Sequence, residues 1–237
     1  MKKTICAIAL AAVLLLTASC TAQLPINYKD IKSAKDAYEE LDSARVVMTD
    51  LSTGERLMTF LFYINSEDEM ILYYEGESED GAEYAYSDGA EFFYKTADAE
   101  EWSVISSSDE SYIYNVYSRS YRYPYADGGI FFLDGTSVAD ASATGGEDGP
   151  LVVTYVYDAE LLNKNAAGSL DNVSSFSSLT AVYTIDDGCI TEFEMRGSVT
   201  DSDGSDYEIN TGICVCDMNE TESIAAEISE LWENAGY

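Results

Sequence analysis

The chain is 237 residues long and carries 44 acidic against 12 basic residues, a formal charge of −32 at pH 7, with no histidine. Such acidity speaks against nucleic acid and anionic membrane surfaces as partners, because both demand clustered Lys and Arg. Without imidazole, no Ser-His or Cys-His pair can activate a nucleophile, and a structural zinc site has almost no ligands to use.

Residues 1–20, MKKTICAIALAAVLLLTASC, read as an export signal: Lys2 and Lys3 form the basic end and Ile5 to Leu16 the apolar run. That run is too short for a bilayer, which takes ~20 apolar residues. LTASC at its end is similar to the lipobox of bacterial lipoproteins, in which the cysteine, here Cys20, becomes the lipidated N-terminus. Thr17 stands where an aliphatic residue is usual, and the other reading of the stretch is a secretory signal cut after Ala22. Both make the protein exported. The expected organisation is a signal peptide over 1–19, a tether over 20–30 and a single domain over 31–237, anchored by Cys20 at the extracytoplasmic face of a membrane. The acidity then serves solubility at a crowded surface.

Past the tether, Ser33 with Asp36 three places on predicts a capped helix over 34–43, with Ala34, Ala37, Tyr38 and Leu41 on its apolar face. From Arg45 the period changes to two. Five runs rich in branched and aromatic residues, from ARVVMTDL to EFFYK, predict an antiparallel meander, with Asp88-Gly89 as a type I′ hairpin turn. In ERLMTFLFYI, Met58, Phe60, Phe62 and Ile64 lie on one face and Leu57, Leu61 and Tyr63 on the other, so both faces should be covered.

Residues 106–150 look irregular. Ser107 to Glu110 can cap a helix that carries Tyr112, Ile113, Val116 and Tyr117 on one face, within a stretch, SYIYNVYSRSYRYPY, that holds six tyrosines. Pro124 stops regular structure, ADASATGGEDGP reads as loop, and LVVTYVY from Leu151 is a further strand. Residues 159–177 read as loop or short helix.

LTAVYTIDDGCITEFEM predicts a hairpin with a three-residue loop and Gly188 left-handed, which sets Ala181 opposite Phe193 and puts Leu179, Tyr183 and Ile185 on the same side. Tyr207, Ile209, Ile213 and Val215 of the next strand align with that apolar side, so Cys189 is kept apart from Cys214 and Cys216 and the thiols should stay free. Asn219 with Glu222 caps a last helix, about 221–234, whose Ile224, Ile228, Leu231 and Trp232 should dock on the sheet.

Chemistry-bearing motifs are few. Neither G-x-S-x-G nor S-x-x-K occurs, and with so many acids no carboxylate pair stands out as a glycosidase site. Asp201, Asp203 and Asp206 in DSDGSD offer oxygen ligands on alternate residues, a weak calcium candidate. The stretch lacks the distal Glu of a calcium loop and falls where a hairpin needs a turn, which is the preferred reading. No catalysis, cofactor or metal is expected.

YAYSDGAEFFY (Tyr84–Tyr94), followed by Trp102, and YTIDDGCITEFEMRGSVTDSDGSDYEI (Tyr183–Ile209) resemble the LolA-like lipoprotein carrier superfamily, and the likeness extends in outline over residues 31–217. It implies an α+β fold in which a strongly curved antiparallel sheet, an open half-barrel, packs around a few helices. It also implies an apolar cavity for acyl chains. Phe60, Phe62, Phe93, Tyr112, Val116, Tyr117, Phe193 and Ile209 are then the candidate lining, or the core if the helices at both ends of the domain fill the concavity. The partner implied is a lipid or other apolar small molecule. The alternative is an interaction module for an envelope protein or glycan that works through exposed tyrosines, since aromatic rings suit both.

Overall fold

The computed structural model of the protein describes residues 24–78, 81–112, 116, 130–147, 149–165, 173–201 and 203–235. Among these, helix α1 (Tyr28–Glu39) is followed by strands β1 (Ser43–Asp50), β2 (Arg56–Ile64), β3 (Met70–Ser78), β4 (Gly81–Ser87), β5 (Glu91–Thr96) and β6 (Ser103–Ser106). Strands β7 (Val138–Gly145) and β8 (Leu151–Tyr157), helix α2 (Ala159–Asn165), strands β9 (Val173–Asp186), β10 (Cys189–Asp201) and β11 (Asp206–Cys216), and helix α3 (Thr221–Asn234) complete the chain. Residues 110–112 and 116 are also helical.

All eleven strands form one antiparallel sheet in the order β6-β5-β4-β3-β2-β1-β11-β10-β9-β8-β7. The sheet is open, with β6 and β7 at its edges, and two meanders join where β1 pairs with β11, Val46 opposite Val215 and Met48 opposite Ile213. The expected five-strand meander is present and runs on into β6. Residues 138–145 of the stretch read as loop form β7 instead; their small side chains give a weak two-residue period, and pairing with β8 over Ala141–Tyr155 and Ala143–Val153 decides the matter.

Each face of the sheet is covered by a different helix. On one face, α1 presents Ile31, Ala34 and Tyr38 to β9 and β10, and all three are buried. This apolar row explains why α1 starts at Tyr28, inside the stretch read as tether, and not at residue 34. Asn27 opens the helix with a left-handed φ of 57° and its amide donates to Asp30 Oδ2 at 2.7 Å. Ser33 is an exposed interior residue, and Asp36 pairs with Lys32 at 2.8 Å. On the other face, α3 packs against β1, β2 and β3 and buries Ile224 and Ile228 with Leu61, Ile71 and Tyr73. The two-sided apolar pattern of β2 therefore has two separate partners. Asn219 does not cap α3; its Oδ1 accepts from the Asp42 N–H at 2.9 Å and ties the helix entry to the start of β1.

Both Asp-Gly hairpins turn differently from expectation, each through a two-residue loop. In β9–β10, Asp186 pairs with Cys189, and Asp187 and Gly188 both take positive φ, 48° and 78°, the requirement of a two-residue type I′ turn. In β4–β5, the Asp88 N–H reaches Glu91 O at 3.3 Å and only Gly89 is left-handed (φ 91°), so Gly89-Ala90 is the turn, with Gly first as in type II′. The shorter β9–β10 loop shifts the register by one, which alone would turn the apolar set outward. A bulge between Ile190 and Glu192 adds the second residue, so Phe193 lies opposite Tyr183 and keeps the apolar face. As a result Ile190 is fully buried opposite Ile185, while Cys189 stands opposite Asp186.

Candidate functional site

The α1 face of the sheet is a continuous apolar and aromatic surface. It is built from Phe60 and Phe62 of β2, Leu72 and Tyr74 of β3, Phe92 of β5, Phe193 of β10, Tyr183 of β9 and Tyr155 of β8, all buried. Strand alternation puts these residues on one side, as the cross-strand partners Phe60–Tyr74, Phe62–Leu72 and Phe193–Tyr183 show.

Four of the candidate lining residues, Phe60, Phe62, Phe193 and Ile209, lie on this face, with Ile209 half-buried at its margin. Tyr112 and Val116 belong to the same core, and the Tyr112 hydroxyl is 3.1 Å from Ser87 Oγ. Phe93 faces the opposite way. It packs against Trp232 of α3 with ring centroids 5.0 Å apart, beside Tyr86, which stacks on Trp232 at 4.1 Å. Its neighbour Phe92 takes the place on the α1 face. Tyr117 and Cys20 lie outside the described residues, as do residues 117–129 of the tyrosine-rich stretch.

Among the described residues, the α1 face is covered by α1, by Tyr112 and Val116, by Leu162 of α2 and by an irregular segment, Ile130–Leu133. Phe131 is buried between Tyr38 of α1 (centroids 5.1 Å, edge-on) and Phe193 of the sheet (5.9 Å), and Phe132 meets Tyr157 edge-on at 5.4 Å. Polar atoms fix the segment in place. Lys35 Nζ donates to Phe131 O at 3.4 Å, and Tyr183 donates its hydroxyl to Phe132 O. Because a phenol has one proton to give, the 3.2 Å contact between Tyr157 and Tyr183 has Tyr157 as donor. Tyr155 donates to Ile26 O at 2.6 Å and so pins the chain ahead of α1 as well. Burial pushes the Tyr157 phenol up to about 12 and raises Tyr183 and Tyr155 above the ordinary tyrosine value, so all three stay protonated donors.

The far end of the segment is held by Asp134, whose Oδ1 accepts from the Thr136 N–H at 2.8 Å and the Thr136 hydroxyl at 2.6 Å, while Oδ2 accepts from the Ser137 hydroxyl at 2.5 Å. Burial works to raise this carboxyl, but the Ser137 and Thr136 hydrogen bonds outweigh it and hold it below its usual value.

Among the described residues, Phe131 and Phe132 form a two-residue plug on the α1 face, while α3 lies on the other face. The plug escaped the sequence reading. The signal available was the apolar run Ile130–Leu133 between the turns DGG and DG, since such a run in an irregular segment has to be buried somewhere.

Among the described residues, clefts lie elsewhere. One, of about 490 Å³, sits between the β7–β8 and β9–β10 turns and is lined by Glu147, Gly149, Leu151, Ile185, Asp186, Asp187 and Gly188. Another, about 150 Å³, is bounded by Arg56, Glu75 and Tyr84.

Asp201, Asp203 and Asp206 occupy the β10–β11 turn. Asp203 Oδ1 accepts from the Ser205 N–H at 2.8 Å, Asp206 Oδ1 from the Thr200 hydroxyl at 2.7 Å, and Gly204 is left-handed (φ 90°). Among the described residues no group of three His, Cys, Asp or Glu side chains is placed to hold a metal ion, and no helix is long and apolar enough to cross a membrane.

No protein-family model matches the chain, and no curated protein matches its sequence. Among solved structures, the chain is similar to that of LprF from Mycobacterium bovis, with 13% identity over 83% of this chain and 95% of that one and a TM-score of 0.45.

Proposed function

We propose that the protein is an exported lipoprotein, anchored through Cys20, that binds a lipid or another apolar molecule without catalysis. In this reading the open sheet curves around α1 as a half-barrel.

The observation that carries the reading is the way the α1 face is covered. Among the described residues, a broad wall of aromatic and aliphatic side chains meets the short helices α1 and α2, the helical residues Tyr112 and Val116, and an irregular segment, Ile130–Leu133, where a long packed helix would be the ordinary solution. An irregular segment held by a few hydrogen bonds opens at lower free energy than a packed helix. Removing the Phe131 and Phe132 rings would leave an apolar hollow against Phe193, Tyr157 and Tyr38, the kind of lining that ligand pockets have.

The test is organic extraction of the purified, unlipidated domain followed by mass spectrometry, alongside titration with a fluorescent fatty acid. Co-purified lipid or saturable probe binding supports the reading. Absence of both overturns it.

A further inference from the structure

The two edges of the sheet are unlike. β6 has four residues, whereas β7 has eight and ends in an open turn. Long edges are usually blunted by Lys, Pro or a central bulge, and β7 has none of these; its one irregularity lies at the start, between Val138 and Asp140. Its side chains are small on both faces, Ala141 and Ala143 on the core side and Ser142 and Thr144 on the exposed side, so none keeps a neighbouring backbone away from the edge.

The hydrogen-bonding phase of the edge follows from the turn. The Gly146 N–H donates to Pro150 O at 3.2 Å, so pairs alternate back along β7, and the N–H and C=O groups of Ala141, Ala143 and Gly145 point away from β8. Asp140 Oδ1 accepts from the Ala141 N–H at 2.9 Å, which confirms its outward direction. Among the described residues nothing pairs with the groups of Ala143 and Gly145.

We propose that β7 is a docking strand for an extended, basic segment of another polypeptide, which adds to the sheet as a twelfth strand. Charge selects this occupant over a second copy of the chain. Lys164 is the single basic residue between Arg122 and Arg196, a stretch that also contains Asp140, Glu147, Asp158, Asp186 and Asp187. Two such surfaces brought edge to edge would repel, whereas a Lys- or Arg-bearing strand is drawn to them. The cleft of about 490 Å³ lies at the same end of the sheet as Gly145 and is lined by Glu147, Asp186 and Asp187, so it takes one basic side chain of the docked segment. Main-chain pairing supplies affinity and the acidic cleft supplies selectivity.

The experiment uses the full chain and a labelled peptide, acetyl-KVTVKVTVK-amide, read by fluorescence anisotropy and hydrogen exchange. Binding is expected to protect amides within residues 139–145, to weaken at least tenfold when every peptide Lys is replaced by Glu, and to fall steeply with salt. N-methylation of one alternate set of peptide amides is expected to abolish binding while methylation of the other set leaves it intact, a readout that needs no change to the protein. Ala143→Pro is expected to lose at least tenfold, and Glu147→Gln with Asp187→Asn three- to tenfold. Equal binding of the acidic peptide, indifference to both methylation sets, or protection elsewhere than 139–145 overturns the proposal. So does sedimentation of the full chain as a dimer that Ala143→Pro dissolves, since the occupant is then a second copy.

Discussion

Arg45 of β1 grips Glu227 of α3 through both guanidinium arms, with Nη1 2.8 Å from Oε1, and turns its Nε to Asp217 Oδ2 at 2.8 Å. One cation thereby fastens the last helix to the central strand and to the loop that leads into it. The hydrogen bonds it donates to Glu227 and Asp217 raise the guanidinium pKa further above an already high value, so Arg45 keeps its charge at every working pH.

Arg45→Ala should therefore destabilise the fold by about 1–2 kcal/mol, less than a fully buried clamp would cost, because all three side chains are partly exposed and screened by solvent. Urea denaturation checks this: the midpoint should fall with an unchanged slope, and Glu227→Gln should show a smaller part of the same effect.

The buried tyrosines predict an alkaline limit to stability. Folding raises the Tyr157 pKa to about 12, and those of Tyr155 and Tyr183 also rise, with burial the largest cause in each. A raised folded-state pKa contributes stability that is complete below the unfolded tyrosine value of about 10 and is lost as pH climbs through the folded value. Ultraviolet titration of phenolate should show a late class that ionises well above the ordinary tyrosine value, together with loss of the near-ultraviolet dichroism.

Phe131 separates plug from core. Phe131→Ala removes a ring packed between Tyr38 and Phe193 and should cost about 3–5 kcal/mol in thermal or chemical unfolding. If the space is a ligand site held shut, the same variant should bind a fluorescent fatty acid more tightly than the wild type, because the ligand takes the volume the ring gave up.

The three described cysteines are unpaired: Cys214 is exposed, Cys189 and Cys216 half-buried. Burial raises the thiol pKa of each, that of Cys216 to about 11. Iodoacetamide at pH 8 followed by mass spectrometry should label Cys214 first and Cys216 slowly, with the Cys216 rate still climbing well above pH 9. No species carrying a disulfide among the three is expected.

Strands with strong alternation were legible from sequence: the meander β1–β5, β8 and β11, together with α3, lie where the pattern puts them, while β9 begins at Val173, so residues 173–177, read as loop or short helix, are strand. Phe193 could be assigned to one side because β10 alternates with charged residues there, whereas in β2 period two puts Phe60 and Phe62 on one side together but, with Leu61 and Tyr63 on the other, does not say which. Phe93 could not be assigned. In EFFY both Phe92 and Phe93 are apolar, so period two alone leaves the face open, and Trp232, far away in the chain, decides it.

The two Asp-Gly turns look alike in sequence. Their types depend on whether Asp or the following Ala completes the two-residue loop, and in β9–β10 on a bulge at Thr191 that no local signal announces. β7 was hidden by its small residues, and the Phe131–Phe132 plug by its setting among turn residues.

Equilibrium titration of the protein with a fluorescent fatty acid, with displacement by unlabelled fatty acid, tests the proposed function most directly. Saturable binding at one site per chain, with a blue shift of the probe and complete displacement, is the expected result. A signal that neither saturates nor yields to competitor, in both the wild type and Phe131→Ala, would contradict it.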